Sequence, residues 1–232
     1  MGIAGLMRLS TIDFPGRLAA VVFVSGCHYD CFYCHNRALI AFDGPEIPMA
    51  EIWSFLQKRK GLLDGVVVSG GEATLWQGLP NFLERCKYNG FATKLDTNGS
   101  RPEVVSRLLS EGLLDYVAVD YKAPFAKYAE VCGAGACGEK VRETFDVLLS
   151  QNAVPFEART TVFPALSEQE LLQMAKEAPV FPKYVLNGYR RPELFCDKDA
   201  EKINQTPYTK AELQNFVQLL LPFQPNCVLG TI

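Results

Sequence analysis

The sequence predicts an α/β fold, an open (β/α)6 partial barrel built on a parallel sheet. Three observations predict it. Short apolar runs alternate with helix-period patterns six times along the chain. The first runs, Leu18 to Val24 and Gly65 to Ser69, are nearly continuous in apolar and β-branched residues, as strands buried on both faces are. At 232 residues, the chain is long enough for one sizeable core but short for a closed eight-unit barrel. Strand-then-helix order implies right-handed crossovers between parallel neighbours. The reading is one domain over residues 1–232, with a core at about 15–191 and a C-terminal helix and tail at 205–232.

In order, Leu18 to Val24 is the first strand and leads into a cysteine-rich loop. Pro48 to Arg59 has helical spacing, with Ile52, Trp53, Phe55 and Leu56 on one side. Gly65 to Ser69 is the second strand and ends in Gly70-Gly71-Glu72. Leu79 to Asn89 reads as a helix closed by Gly90. Ala92 to Asp96 is the third strand and runs into Thr97-Asn98-Gly99. Pro102, at a first-turn position, opens a helix to about Glu111. Tyr116 to Asp120 is the fourth strand, and Glu139 to Gln151 the helix after it. Phe156 to Val162 alternates in polarity as a fifth strand. Ser167-x-x-Glu170 is a capping box for a helix to Glu177. Lys183 to Asn187 is the sixth strand, and Thr209-x-x-Glu212 caps a last helix to about Leu220. Pro222 to Ile232 takes no assignment. There is no internal repeat, low-complexity tract or linker.

Composition narrows the function classes. Hydrophobic content of 48% with 21% charged residues is ordinary globular composition. A net charge of −3 without a long Lys/Arg run argues against a nucleic-acid partner. No segment approaches 18 uninterrupted apolar residues, so no membrane span is expected. The chain does not open on a basic stretch followed by an apolar one, so no signal peptide is expected. Eight cysteines then fit a reducing cytoplasm better than a disulfide framework. Cys86, Cys132, Cys137, Cys196 and Cys227 are scattered. Cys132 and Cys137 are read as loop thiols, with a second cluster or a redox pair as the alternatives.

The chemistry collects first in Gly26 to Asn36, where Cys27, Cys31 and Cys34 are spaced C-x3-C-x2-C. Three thiolates within eight residues can wrap one face of a cuboidal iron–sulfur cluster. A 4Fe–4S site usually takes four cysteines, and the next here is Cys86, so one iron would be open to a small molecule. Spacing alone leaves three other readings. His28 or His35 could complete a zinc site, the thiols could serve redox exchange, or they could sit near one another by chance. Each remaining motif falls at the C-terminal end of a predicted strand, the rim where β/α folds bind ligands. Gly70-Gly71 is a tight turn or a place of close backbone approach. Asp96 to Gly99 reads in isolation as an Asx turn. Asp120 and Lys122 share a strand face and could pair. Arg159 reads in isolation as an outward, solvated residue.

The cysteine triad with Tyr33 before its last member, followed by Gly70-Gly71-Glu72, Asp96-Thr97-Asn98-Gly99 and Asp120-Tyr121-Lys122, resembles the radical S-adenosylmethionine (SAM) enzymes. Leu9-Ser10-Thr11-Ile12-Asp13-Phe14-Pro15-Gly16 and Cys34-His35-Asn36 resemble the activating proteins of anaerobic ribonucleoside-triphosphate reductase, relatives of the pyruvate formate-lyase activases. The resemblance runs from about Gly5 to Arg191. It implies a partial barrel of the radical SAM type, a 4Fe–4S cluster on Cys27, Cys31 and Cys34, and SAM on the open iron. It also implies SAM contacts at Tyr33, Gly70, Gly71, Glu72, Asp96, Asn98, Asp120, Lys122 and Arg159. The Gly70 segment would lie along the methionine part of SAM, with Ala73 where many relatives have proline. Asp96 and Asp120 would help hold a monovalent cation beside the SAM carboxylate. The activases' histidine after the sixth strand has no counterpart in Asn187-Gly188-Tyr189-Arg190.

The implied reaction is reductive cleavage of SAM to methionine and a 5′-deoxyadenosyl radical, with no side chain acting as acid or base. That radical would take a glycine Cα hydrogen from a partner reductase, with flavodoxin or ferredoxin as electron donor. Alternatives are a radical SAM enzyme acting on a small molecule, such as a deazapurine synthase, or an activase of another glycyl radical enzyme. A zinc- or cluster-bearing binding module is a different class again. Only 35 residues lie between Cys34 and Gly70, too few for the inserted two-cluster domain of some activases.

Overall fold

A strand whose every residue is apolar has no face to offer water, so it must be covered on both sides. That requirement shapes the computed structural model, which describes residues 1–230. The chain runs β1 (Ile3–Ser10), β2 (Ala19–Val24), α1 (Met49–Lys58), β3 (Gly65–Gly70), α2 (Leu79–Tyr88), β4 (Ala92–Thr97), α3 (Pro102–Ser110) and β5 (Tyr116–Asp120). It continues through α4 (Tyr128–Cys132), α5 (Gly138–Gln151), β6 (Phe156–Val162), α6 (Glu168–Glu177), β7 (Tyr184–Gly188), α7 (Ala200–Ile203), α8 (Lys210–Leu220) and β8 (Cys227–Leu229). The strands form one sheet in the order β1 to β8. Strand β1 is antiparallel to β2, and every later pair is parallel. Strands β1 and β8 remain edges, so among the described residues the sheet does not close.

The six expected strands are β2 to β7. Two edges are added to them: β1, and β8 within the tail that took no assignment. On the outer face Ala20, Val22, Val66, Val68, Leu95, Val117 and Val119 pack against the helices. On the inner face Ala19, Val21, Val67 and Tyr116 gather around Phe14 from the β1–β2 turn. Phe14 sits 6.1 Å from the Tyr116 ring and fills the bottom of the barrel. Above it the inner face turns polar.

Local signals explain the helix ends. Both capping boxes form, Ser167 with Glu170 and Thr209 with Glu212. Pro102 opens α3. Helices α4 and α7 are short additions to the expected set. Helix α4 also corrects the reading of Cys132 as a loop thiol, because that residue closes the helix and is fully buried, whereas Cys137 is exposed. Among the described residues, no helix is long and apolar enough to cross a membrane.

Candidate active site

The polar end of the barrel is a cavity of about 200 Å3, lined by residues from the cysteine loop and from β3 to β6. The parallel register explains the convergence. Alternate residues of a strand point inward, and Asp120 of β5 stands beside Arg159 of β6. Cys27, Cys31, Tyr33, Cys34, Gly70, Gly71, Asp96, Asn98, Asp120, Lys122 and Arg159 all line this cavity. Glu72 does not.

The cysteine loop is held by backbone contacts. The Asp30 N–H donates to the Cys132 carbonyl at 2.8 Å, and the Cys34 N–H to the Cys31 carbonyl at 3.1 Å. Burial pushes the Cys27 thiol up to about 12 and raises Cys34 as well. Cys31 is held below the ordinary thiol value, first by a hydrogen bond from the Cys132 thiol. Cys132 is therefore not isolated from the triad, as its sequence position suggested.

Opposite the loop, Gly70 and Gly71 bring the end of β3 against it. The Gly71 N–H donates to the Val24 carbonyl, the Glu72 N–H to the Gly26 carbonyl, and the Asn36 amide to the Gly70 carbonyl at 3.1 Å. Gly70 has a φ of +121°, and a Cβ on Gly71 would meet the Gly26 carbonyl oxygen at 2.1 Å. Only glycine allows that approach.

Glu72 is fully buried and faces the protein. Its carboxylate accepts from the Thr74 N–H (3.0 Å) and hydroxyl (2.5 Å), the Thr97 hydroxyl (2.7 Å) and the Asn98 N–H (2.7 Å). It ties the glycine turn to the end of β4 and has no oxygen aimed at the cavity. The Asx turn also exists, with the Ser100 N–H donating to Asn98 Oδ1 at 3.0 Å. Asn98 still lines the cavity.

The charged wall comes next. Lys122 Nζ is 3.0 Å from Asp120 Oδ2, so the strand-end ion pair and the cavity position are both realised. Arg159 points inward, against its isolated reading as a solvated residue. Its guanidinium bridges Asp120 at 3.1 Å and Asp96 at 3.3 Å. Burial opposes ionisation of both carboxyls, but Lys122 and Arg159 hold Asp120 down at about 2. Arg159 and Lys94 lower Asp96 in the same way.

Comparison with known proteins decides the family: the sequence profile of the Radical SAM superfamily matches residues 21–178. The chain belongs to the radical SAM superfamily. A protein of Methanocaldococcus jannaschii that bears the provisional name glycyl-radical enzyme activating enzyme is 32% identical over 99% of this chain and 96% of its own length. The pyruvate formate-lyase-activating enzyme of Clostridium pasteurianum is 35% identical over 42% of this chain and 43% of its own. Among solved structures, Streptococcus suis SuiB bound to S-adenosylmethionine superposes with a TM-score of 0.68 at 14% identity. That match covers 91% of this chain and about half, 52%, of SuiB, and it bears on the fold.

A radical SAM chain implies a 4Fe–4S cluster and SAM. Among the described residues no three His, Cys, Asp or Glu side chains stand close enough to hold a single metal ion. Three free thiols nonetheless share one cavity, the donor set a larger cluster takes. Gly70 and Gly71 line that cavity from the β3 side, and the Gly26 backbone fills the space a Cβ on Gly71 would need. The Tyr33 hydroxyl, buried beside the cavity, has no protein partner among the described residues. The sequence reading missed Asn36, Thr97 and His35 at this cavity. His35 carried a signal, because the activases' histidine was missing after the sixth strand. Its ring lies 6.5 Å from that of Tyr189, just past β7. Burial, then Arg190, holds it below the ordinary histidine value.

Proposed function

We propose that this radical SAM enzyme is an activase that generates a glycyl radical on a partner anaerobic ribonucleoside-triphosphate reductase. The observation that supports the reading is the nearly full-length likeness to the Methanocaldococcus relative, whose name states a glycyl-radical activase and no particular partner. The reductase as partner comes from the likeness of Leu9 to Gly16 and of Cys34-His35-Asn36. Cys27, Cys31 and Cys34 would hold the cluster, leaving one iron for the amino and carboxylate groups of SAM. When bound, the cluster supplies the electron for SAM cleavage, and so the radical that removes a hydrogen atom.

The chain's own residues orient and enclose. Gly70 and Gly71 let backbone lie against the methionine end of SAM. Lys122 and Arg159 present fixed positive charge to its carboxylate. The Tyr33 hydroxyl would donate to, or accept from, the bound molecule. Asp96 and Asp120 keep Arg159 and Lys122 in place rather than exchanging protons. His35, which lines the same cavity, would take over the part of the activases' missing histidine.

The electron donor fits the class of flavodoxin or ferredoxin, both of which deliver single electrons. The test is anaerobic mixing of cluster-loaded protein with SAM, a reductant and the candidate reductase, read by electron paramagnetic resonance. A glycyl radical doublet that collapses towards a singlet when the reductase carries deuterated glycine is the expected result. Formation of 5′-deoxyadenosine with deuterium drawn only from a free small molecule would overturn the activase reading.

A further inference from the structure

Lys94 was not among the expected site residues and does not line the cavity, yet it sits in the middle of β4 at 1% exposure. It shares the inner face with Asp96, two residues on. Its ammonium lies 2.5 Å from Asp96 Oδ1 and 5.8 Å from the centroid of the Tyr116 ring, which shields it from below. Arg159 occupies the other Asp96 oxygen and Asp120 Oδ1, while Lys122 occupies Asp120 Oδ2. Every carboxylate oxygen of the pair therefore already meets a cationic donor. Three fixed cations face two carboxylates, and the excess positive charge matches one carboxylate on a ligand.

The monovalent cation expected between Asp96 and Asp120 does not fit this arrangement. A metal ion there would have to displace an ammonium or share its oxygen, adding like charge beside three fixed cations. We infer that the Lys94 ammonium and the Arg159 guanidinium stand in for that ion, so this chain binds SAM without potassium or sodium. Lys94 acts through Asp96 and is a positioning residue. The inference rests on the reading of this cavity as the SAM site.

The experiment measures SAM affinity of cluster-loaded protein by equilibrium dialysis, at fixed ionic strength, in potassium, sodium or tetramethylammonium chloride. Wild-type Kd is expected to agree within about twofold across the three salts. Lys94→Met, which keeps the stem and removes the charge, is expected to bind about tenfold more weakly in tetramethylammonium, equivalent to about 1.4 kcal/mol. Its affinity should recover in potassium, which a merely structural role would not produce. A wild-type Kd that rises tenfold without potassium or sodium overturns the inference, whether or not the variant folds. So does a Lys94→Met protein that binds as wild type in tetramethylammonium. Failure of wild type to bind SAM in any of the salts would overturn the SAM-site reading itself, and the inference with it.

Discussion

Glu72 looks like a ligand contact in the sequence because it follows two glycines at a strand end, but its four hydrogen bonds make it a brace. Glu72→Gln keeps the shape and replaces one acceptor oxygen with a donor, facing N–H or O–H groups already donating. An unmet buried donor, together with loss of charge-assisted bonds, costs about 2–3 kcal/mol. Urea unfolding should therefore show a lower midpoint with unchanged slope. Unaltered stability combined with weaker SAM binding would return Glu72 to the ligand. Asp120 carries a second expectation at this scale. Its carboxyl is held at about 2 rather than 3.8, so its stabilising charge is complete above 3.8 and is lost as pH falls towards 2. SAM affinity should show no carboxylate titration above pH 5 in a dialysis series. The cysteines, the glycines and Asp120 were legible because each lies at a strand end in a motif. Lys94 and Arg159 were not legible from local pattern. A charged residue inside a strand reads as solvated until the register sets it opposite two carboxylates.

At the scale of elements, the cysteine loop depends on a helix of only five residues. The end of α4 supplies carbonyls to the loop, with Asp30 donating to Cys132 and Phe32 to Val131. Gly133 follows at φ +92° and ψ 157°, a region open in practice to glycine alone. A Cβ there would meet the Asp30 Cβ at 3.2 Å and its nitrogen at 3.3 Å. Gly133→Ala should therefore strain the turn by about 1–3 kcal/mol and push the cysteine loop away from α4. The expected outcome is fewer than wild-type iron and sulfide atoms per chain after anaerobic reconstitution, with unchanged far-UV circular dichroism. Cys137→Ala, at an exposed thiol outside the cavity, should reconstitute as wild type. Strands β2 to β7 and the long helices were readable because apolar runs, capping boxes and prolines encode them locally. Helix α4 was not readable, because five residues carry no period and its place comes from docking onto the loop.

At the scale of the molecule, the sheet has two edges that do not meet. Strand β1 alternates only partly and leaves Met7 and Leu9 exposed, as an edge strand does. Strand β8 has three residues and is specified by its pairing with β7 rather than by its own pattern. Between them a groove of about 360 Å3 opens beside the lumen, lined among others by Ile12, Pro15, Glu157, Lys183 and Val228. Arg159 lines both this groove and the candidate active site, so the two spaces adjoin at its side chain. A small substrate gains from enclosure, whereas a glycine on a folded partner needs such an opening. Val228 is 42% exposed on β8, so a larger side chain there can project into the groove without repacking the core. Val228→Trp should leave SAM affinity within about twofold of wild type, because the cavity wall is untouched. The yield of glycyl radical on a glycyl-radical enzyme that wild type activates, measured by spin counting, should fall at least tenfold. Equal radical yields from the two proteins would show that the partner's glycine loop does not approach through this groove.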